Sequence, residues 1–140
     1  AAEDIFKRAV ALSETTVGST HPETAKHIGN LAALTLQRGN HDQGKALLER
    51  ALAIWEQQPE PDPVYTVNAL SNLAAVYLDA GQSDAALDLY ARGLSIQEAA
   101  FGEDNPRLIN LLKNMAAALQ RVGQTDEAAA VEARINQLSA

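Results

Sequence analysis

The chain has no cysteine, and this removes three classes of chemistry at once: a disulfide framework, a thiolate metal site and a cysteine nucleophile. It leaves compartment open, because a cysteine-free chain is at home in cytoplasm or periplasm alike. Basic residues are scarce: 11 Lys and Arg stand against 18 Asp and Glu, a net charge of −7. Non-specific nucleic-acid affinity comes from clustered cations on phosphates, and no such cluster occurs, which argues against a nucleic-acid partner. No apolar run approaches the roughly 18 residues that span a bilayer, so no membrane insertion is expected. A glycine-rich phosphate loop, a serine elbow and an isolated carboxylate pair are also missing, so no enzyme and no cofactor is expected. The chain starts "AAEDIF", without a methionine or a charged-then-apolar leader, as expected of a processed form or a piece of something longer.

What is present is repetition. "NLAALTLQRGN" at 30–40 returns as "NLAAVYLDAGQ" from 72 and "NMAAALQRVGQ" from 114, a step of 42 residues each time. Glycines at 39, 81 and 123 keep that step, as do aspartates at 42, 84 and 126 and arginines at 8, 50, 92 and 134. Repeats of this length cannot bury an apolar face alone and must stack on their neighbours. Only the linkers slip: Pro22, Pro63 and Pro106 are 41 and 43 apart, and "QPEPDP" is the irregular one.

Each unit reads as two helices. In the first, a proline stands near the start, where its missing N–H costs nothing, and a glycine just past the end, where a left-handed residue is wanted. Ile28, Leu31, Ala32 and Thr35 share one face at helical spacing. The second helix is expected to start near an Asp or Ser cap, and it carries Leu47, Leu48, Ala51, Leu52 and Ile54 at the 3.6 period. The short connection makes the two helices antiparallel. Gly44, Ala86 and Ala128 put a small residue at one matching place, which allows close approach of helix backbones.

The pattern "NLA…G…D.A…A.." resembles the tetratricopeptide repeat. The 42-residue period, with linkers such as "VGSTHPETAKHIGNLA" and "FGEDNPRLINLLKNMA", is similar to the longer subtype of kinesin light chains and many bacterial proteins. The resemblance implies an all-α fold, an antiparallel helix-pair solenoid of about seven helices wound into a right-handed superhelix. On this basis residues 1–140 form a single domain. An orphan second helix at 1–18 precedes helix pairs at 21–58, 63–101 and 106–139, as the C-terminal part of a longer array.

The resemblance also implies that first helices line a concave groove that takes a protein or peptide partner. A stripe at i, i+4, i+7, i+11 on them holds Lys26, Asn30, Ala33 and Gln37, then Asn68, Asn72, Ala75 and Asp79, then Asn110, Asn114, Ala117 and Arg121. Asparagine costs roughly 0.5 kcal/mol against alanine inside a helix, so five in one stripe need a reason. An amide offers two donors and an acceptor, and so can pair with the backbone of an extended peptide whatever its side chains. The competing reading has these asparagines bonded to neighbouring helices, setting only the stacking. Some family members grip a terminal carboxylate with a clamp. Lys26, Asn30 and Asn72 match its early part, but Asn110 and Asn114 stand where it wants Lys and Arg.

The remaining candidates have plain readings. His21, His27 and His41 lack metal-site spacing and are read as solvated, with no metal. The arginine series falls on the second helices and is read as a solvated outer face. Trp55 is read as packing on the "PEPDP" linker, with a partner contact as the lesser option. The faces toward a following unit hold Phe6 and Val10, Leu48 and Leu52, and Tyr90 and Leu94, but Glu132 and Asn136 in the last helix, as in a terminal cap. The opposite edge, Ile5, Ala9 and Leu12, has no such cap. It is expected to be covered by upstream repeats or by another copy, giving a homo-oligomer. The alternative to a peptide-binding scaffold is therefore a structural spacer or self-association module.

Overall fold

A computed structural model describes residues 2–140 of the chain. They contain seven α-helices and no strand: α1 (Ala2–Thr16), α2 (Pro22–Gln37), α3 (His41–Glu56), α4 (Pro63–Asp79), α5 (Ser83–Phe101), α6 (Ile109–Arg121) and α7 (Thr125–Ser139), with a 3-10 turn at Pro106–Leu108 before α6. The chain divides into two compact units, Ala1–Ala69 and Leu70–Ala140, with the division inside α4.

One device begins each first helix. A polar side chain caps it and a proline follows. Nδ1 of His21 accepts the Glu23 N–H at 3.1 Å. Oδ1 of Asp62 accepts from Val64 at 2.9 Å and Tyr65 at 3.3 Å. Oδ1 of Asn105 accepts from Arg107 at 2.9 Å and so caps the 3-10 turn that leads into α6. His21 is thus not merely a solvated linker residue: its ring nitrogen satisfies one of the orphan amides of α2.

One device also ends them. Gly39, Gly81 and Gly123 have φ of 85°, 81° and 83°. Each glycine N–H bonds three residues back and the next N–H five back: Asn40 to Thr35 at 3.1 Å, Gln82 to Tyr77 at 2.9 Å, Gln124 to Leu119 at 2.9 Å. This is the Schellman pattern, which needs a left-handed residue and here uses glycine.

The same turn overturns the expected Asp or Ser caps. The residues before α3, α5 and α7 are Asn40, Gln82 and Gln124, and none makes a side-chain capping bond. The Schellman bond of the preceding helix holds the backbone of each with ψ of 70°, 67° and 68°, outside the extended conformation in which an N-cap side chain reaches the helix amides. Asp42, Asp84 and Asp126 lie instead in the first turn, where they face the positive end of the helix dipole.

In the first unit α2 packs against both α1 and α3. Its expected face is buried, with Ile28 and Ala32 fully enclosed and Leu31 and Thr35 nearly so. On α3, Leu48, Ala51, Leu52 and Ile54 are buried, while Leu47 is only partly covered. A Cβ added to Gly44 would overlap the end of the Leu36 side chain, which would have to shift to admit the alanine found at the matching places 86 and 128. In the second unit α6 packs against α5 and α7, enclosing Leu108, Leu112 and Ala118 together with Ala86 and Ala128. Each fully buried Leu or Ile stabilises the fold by roughly 1.5–3 kcal/mol.

A hydroxyl pair shows how the repeats diverge. Ser13 and Thr24 share a buried 2.8 Å hydrogen bond, and the Thr24 hydroxyl donates to the Gly18 carbonyl at 2.7 Å. Forty-two residues on, Thr66 is kept but Trp55 replaces the serine, and the Thr66 hydroxyl is buried without a partner. In the next copy Leu108 replaces the threonine, and Gln97 keeps a buried carbonyl oxygen without a partner. Two substitutions of opposite sign follow. Thr24→Val strands Ser13 and should cost about 1–3 kcal/mol in urea unfolding, whereas Thr66→Val removes an orphan and should be neutral or stabilising. Equal losses in both variants would refute this account.

Candidate functional site

The stripe residues sit on α2, α4 and α6. In the first unit Asn30, Ala33, Gln37 and Asn68 are exposed and Lys26 is partly covered. In the second unit Asn72, Ala75, Asp79, Asn110, Asn114, Ala117 and Arg121 are all exposed. The spacing that put apolar residues into the core put these residues on the opposite side of the same helices. Among the described residues, the side chains of Asn30, Asn68, Asn72, Asn110 and Asn114 form no hydrogen bond.

Two stripe positions pair with each other: Arg121 donates to Asp79 at 3.2 Å, with both side chains more than half exposed. An exposed pair of this kind adds little stability, about 0–1 kcal/mol, so both groups can exchange partners at small cost. Lys26 donates to Glu23 at 3.1 Å and lies 5.2 Å from the centre of the Tyr65 ring. The hydrogen bond and charge of Lys26 hold the Glu23 carboxyl below its ordinary range. The Glu23 contacts and then Tyr65 hold the Lys26 ammonium above its own range.

The arginine series does more than line a solvated face. Arg50 on α3 reaches Glu14 on α1 at 2.8 Å, and Arg134 on α7 reaches Glu98 on α5 at 2.8 Å. Both pairs span 36 residues, so each links successive second helices within its unit. Arg134 also donates to the Glu103 carbonyl at 3.1 Å. Helical spacing within one segment could not show this, because both partners lie on different helices.

Trp55 is 5% exposed, and its ring stacks on Tyr65 with centroids 4.7 Å apart and planes 8° from parallel. Sequence spacing points to the linker and does not reveal this aromatic partner at the start of α4. The linker does contribute, since Pro59 and Glu60 line a cleft beside the two rings. At the N-terminal edge Ile5 and Leu12 are 64% and 65% exposed, and Ala9 is partly covered. Glu132 and Asn136 on α7 are exposed. No described helix is long and apolar enough to cross a membrane.

These features define a class of all-helical repeat built from antiparallel pairs. The chain belongs to the tetratricopeptide repeat family, which it matches over residues 1–57, 27–99 and 65–134. The fold of this family mediates protein–protein interaction. Two crystal structures of a putative kinesin light chain from Podosopora anserina with nearly identical tetratricopeptide-like repeats are similar. One has a TM-score of 0.83 at 23% identity over 98% of this chain, the other 0.82 at 23% over 99%. BtubC (BKLC) from P. vanneervenii gives a TM-score of 0.67 at 20% identity, covering 95% of this chain and 55% of that one. The chain spans 65% of the length of the P. anserina proteins. No curated protein matches it.

The Lys26–Glu23 pair gives a direct test of local geometry. Because the folded Glu23 value is lowered, its carboxylate persists as pH falls through the ordinary 4.5 and protonates only below it. Its NMR titration midpoint should lie below that of an isolated glutamate and move up in Lys26→Ala. A midpoint that ignores the substitution would contradict the pairing.

Proposed function

We propose that the chain is a non-catalytic interaction module that binds an extended segment of a partner protein through the exposed asparagine-bearing faces of its first helices, α2 in the first unit and the Asn72 face of α4 with α6 in the second. The observation that carries this is the set of five exposed asparagines without intramolecular hydrogen bonds. Were they stacking residues, their amides would be spent on neighbouring helices. Each is instead available to a ligand backbone, beside alanines that leave room for close approach. Lys26, Gln37, Asp79 and Arg121 flank them and supply charge and further polar contacts.

Asn72→Ala combined with Asn114→Ala tests the reading on a peptide selected from an array. Each lost neutral hydrogen bond should cost about 0.5–1.5 kcal/mol of affinity, with circular dichroism unchanged. Full affinity in the double variant would remove the asparagines from the site.

A second reading rests on the exposure of Ile5 and Leu12. Leaving both in water forgoes roughly 1.5–3 kcal/mol each, which favours self-association through this edge with Ala9 between them. Light scattering at high concentration should show a larger species for the wild type than for Ile5→Glu, Leu12→Glu. A wild type that stays monomeric would eliminate self-association.

A further inference from the structure

The irregular linker builds an aromatic cleft in the first unit. Residues 57–62 join α3 to α4 and carry Pro59 and Pro61. Beside them a cleft of about 500 Å³ opens within the first unit, walled by Pro22, Trp55, Pro59 and Tyr65. Tyr65 is 40% exposed, and the buried Trp55 behind it holds its ring by stacking. The aromatic wall is therefore set before any ligand arrives, which lowers the ordering cost of binding.

The polar groups around this wall are unevenly spent. Lys26 interacts with the Tyr65 hydroxyl as well as with Glu23, and the phenol keeps its own proton to donate. Lys26 uses one of its three protons on Glu23. Lys26 and Tyr65 thus present donors beside rigid apolar walls, with the Glu60 and Asp62 carboxylates on the linker side. A matching ligand offers apolar surface and free backbone carbonyls to the first and a cation to the second. A β-strand brings N–H groups that need acceptors, and a helix has already used its carbonyls. Proline residues have no N–H, and in polyproline II geometry their carbonyls are free of internal bonds. Proline-rich segments use this geometry on aromatic-lined grooves.

Charge narrows the choice further. Glu60 and Asp62 line the cleft, and Glu23 adjoins it, so three carboxylates stand against one ammonium. The whole chain carries −7. We propose that this cleft binds a proline-rich segment of a partner protein in polyproline II form, with a basic residue beside the prolines. It rests on the interaction-module reading, and Lys26 is common to the cleft and the asparagine stripe.

Trp55 is the single tryptophan, so its emission reports on this cleft alone. The probes are a hexaproline peptide with an arginine at each end and a Gly/Ser peptide with the same arginines, titrated into the intact chain. The proline peptide should give a saturable emission change and the Gly/Ser peptide none. Tyr65→Ala should weaken binding tenfold or more, and Lys26→Met and Glu60→Gln severalfold each. Lys26→Met also decides the matter if Tyr65→Ala fails to fold. Asn72→Ala with Asn114→Ala should leave this binding unchanged. No saturable binding, equal binding of both peptides, or full affinity in Tyr65→Ala and Lys26→Met would overturn the assignment. If the proline peptide fails to bind while a different peptide loses affinity only in the asparagine variant, the stripe reading stands and the cleft assignment falls.

Discussion

Everything in this structure depends on burying the apolar face of each first helix against its neighbours. A helix of sixteen residues such as α2 is marginal on its own in water, and most of its stability comes from packing. Ile28 and Ala32 lose all contact with solvent between α1 and α3, as Leu112 and Ala118 do on α6. That burial fixes the rotation of each helix about its axis. Once the apolar side is committed inward, the asparagines at 30, 72 and 114 have only the opposite side left to occupy. The candidate binding surface follows from the core.

The turns serve the same constraint. A left-handed glycine closes each first helix and sends the chain straight into the second, so the two remain antiparallel neighbours. The short turn sacrifices side-chain caps at the second helices, and the aspartates of the first turn offset this through the helix dipole. Where the repeat relaxes, the consequences are local. Exchanging Ser13 for its counterpart Trp55 leaves the Thr66 hydroxyl orphaned, yet the same tryptophan creates the platform on which Tyr65 stacks. Loss of a buried polar pair and gain of an aromatic wall are two effects of one substitution.

Much of the fold was legible because its determinants are periodic. Helix pairing, the glycine stops, the proline starts and the buried face at Ile28, Leu31, Ala32 and Thr35 all follow from spacing within one repeat. The outward placement of the asparagines follows as well. The capping role of His21 was missed because imidazole is an uncommon cap, and its position beside Pro22 was the only signal. The misplaced Asp caps came from treating each helix start as independent, when one turn ends a helix and begins the next.

The sequence alone determined the class of fold, the length of the repeat and which face of each first helix is apolar, since 3.6-residue periodicity is local physics. Tertiary structure decided which charges meet. Arg50 finds Glu14 and Arg134 finds Glu98 across 36 residues, and Arg121 finds Asp79 across 42. It also decided that Trp55 and Tyr65 stack beside Lys26 around a cleft. The charge pairs depend on how one repeat packs on the next, which spacing within a helix does not show. The Trp55–Tyr65 contact depends on how the irregular linker sets the start of α4 beside α3, and periodicity carries no information about a segment that breaks it.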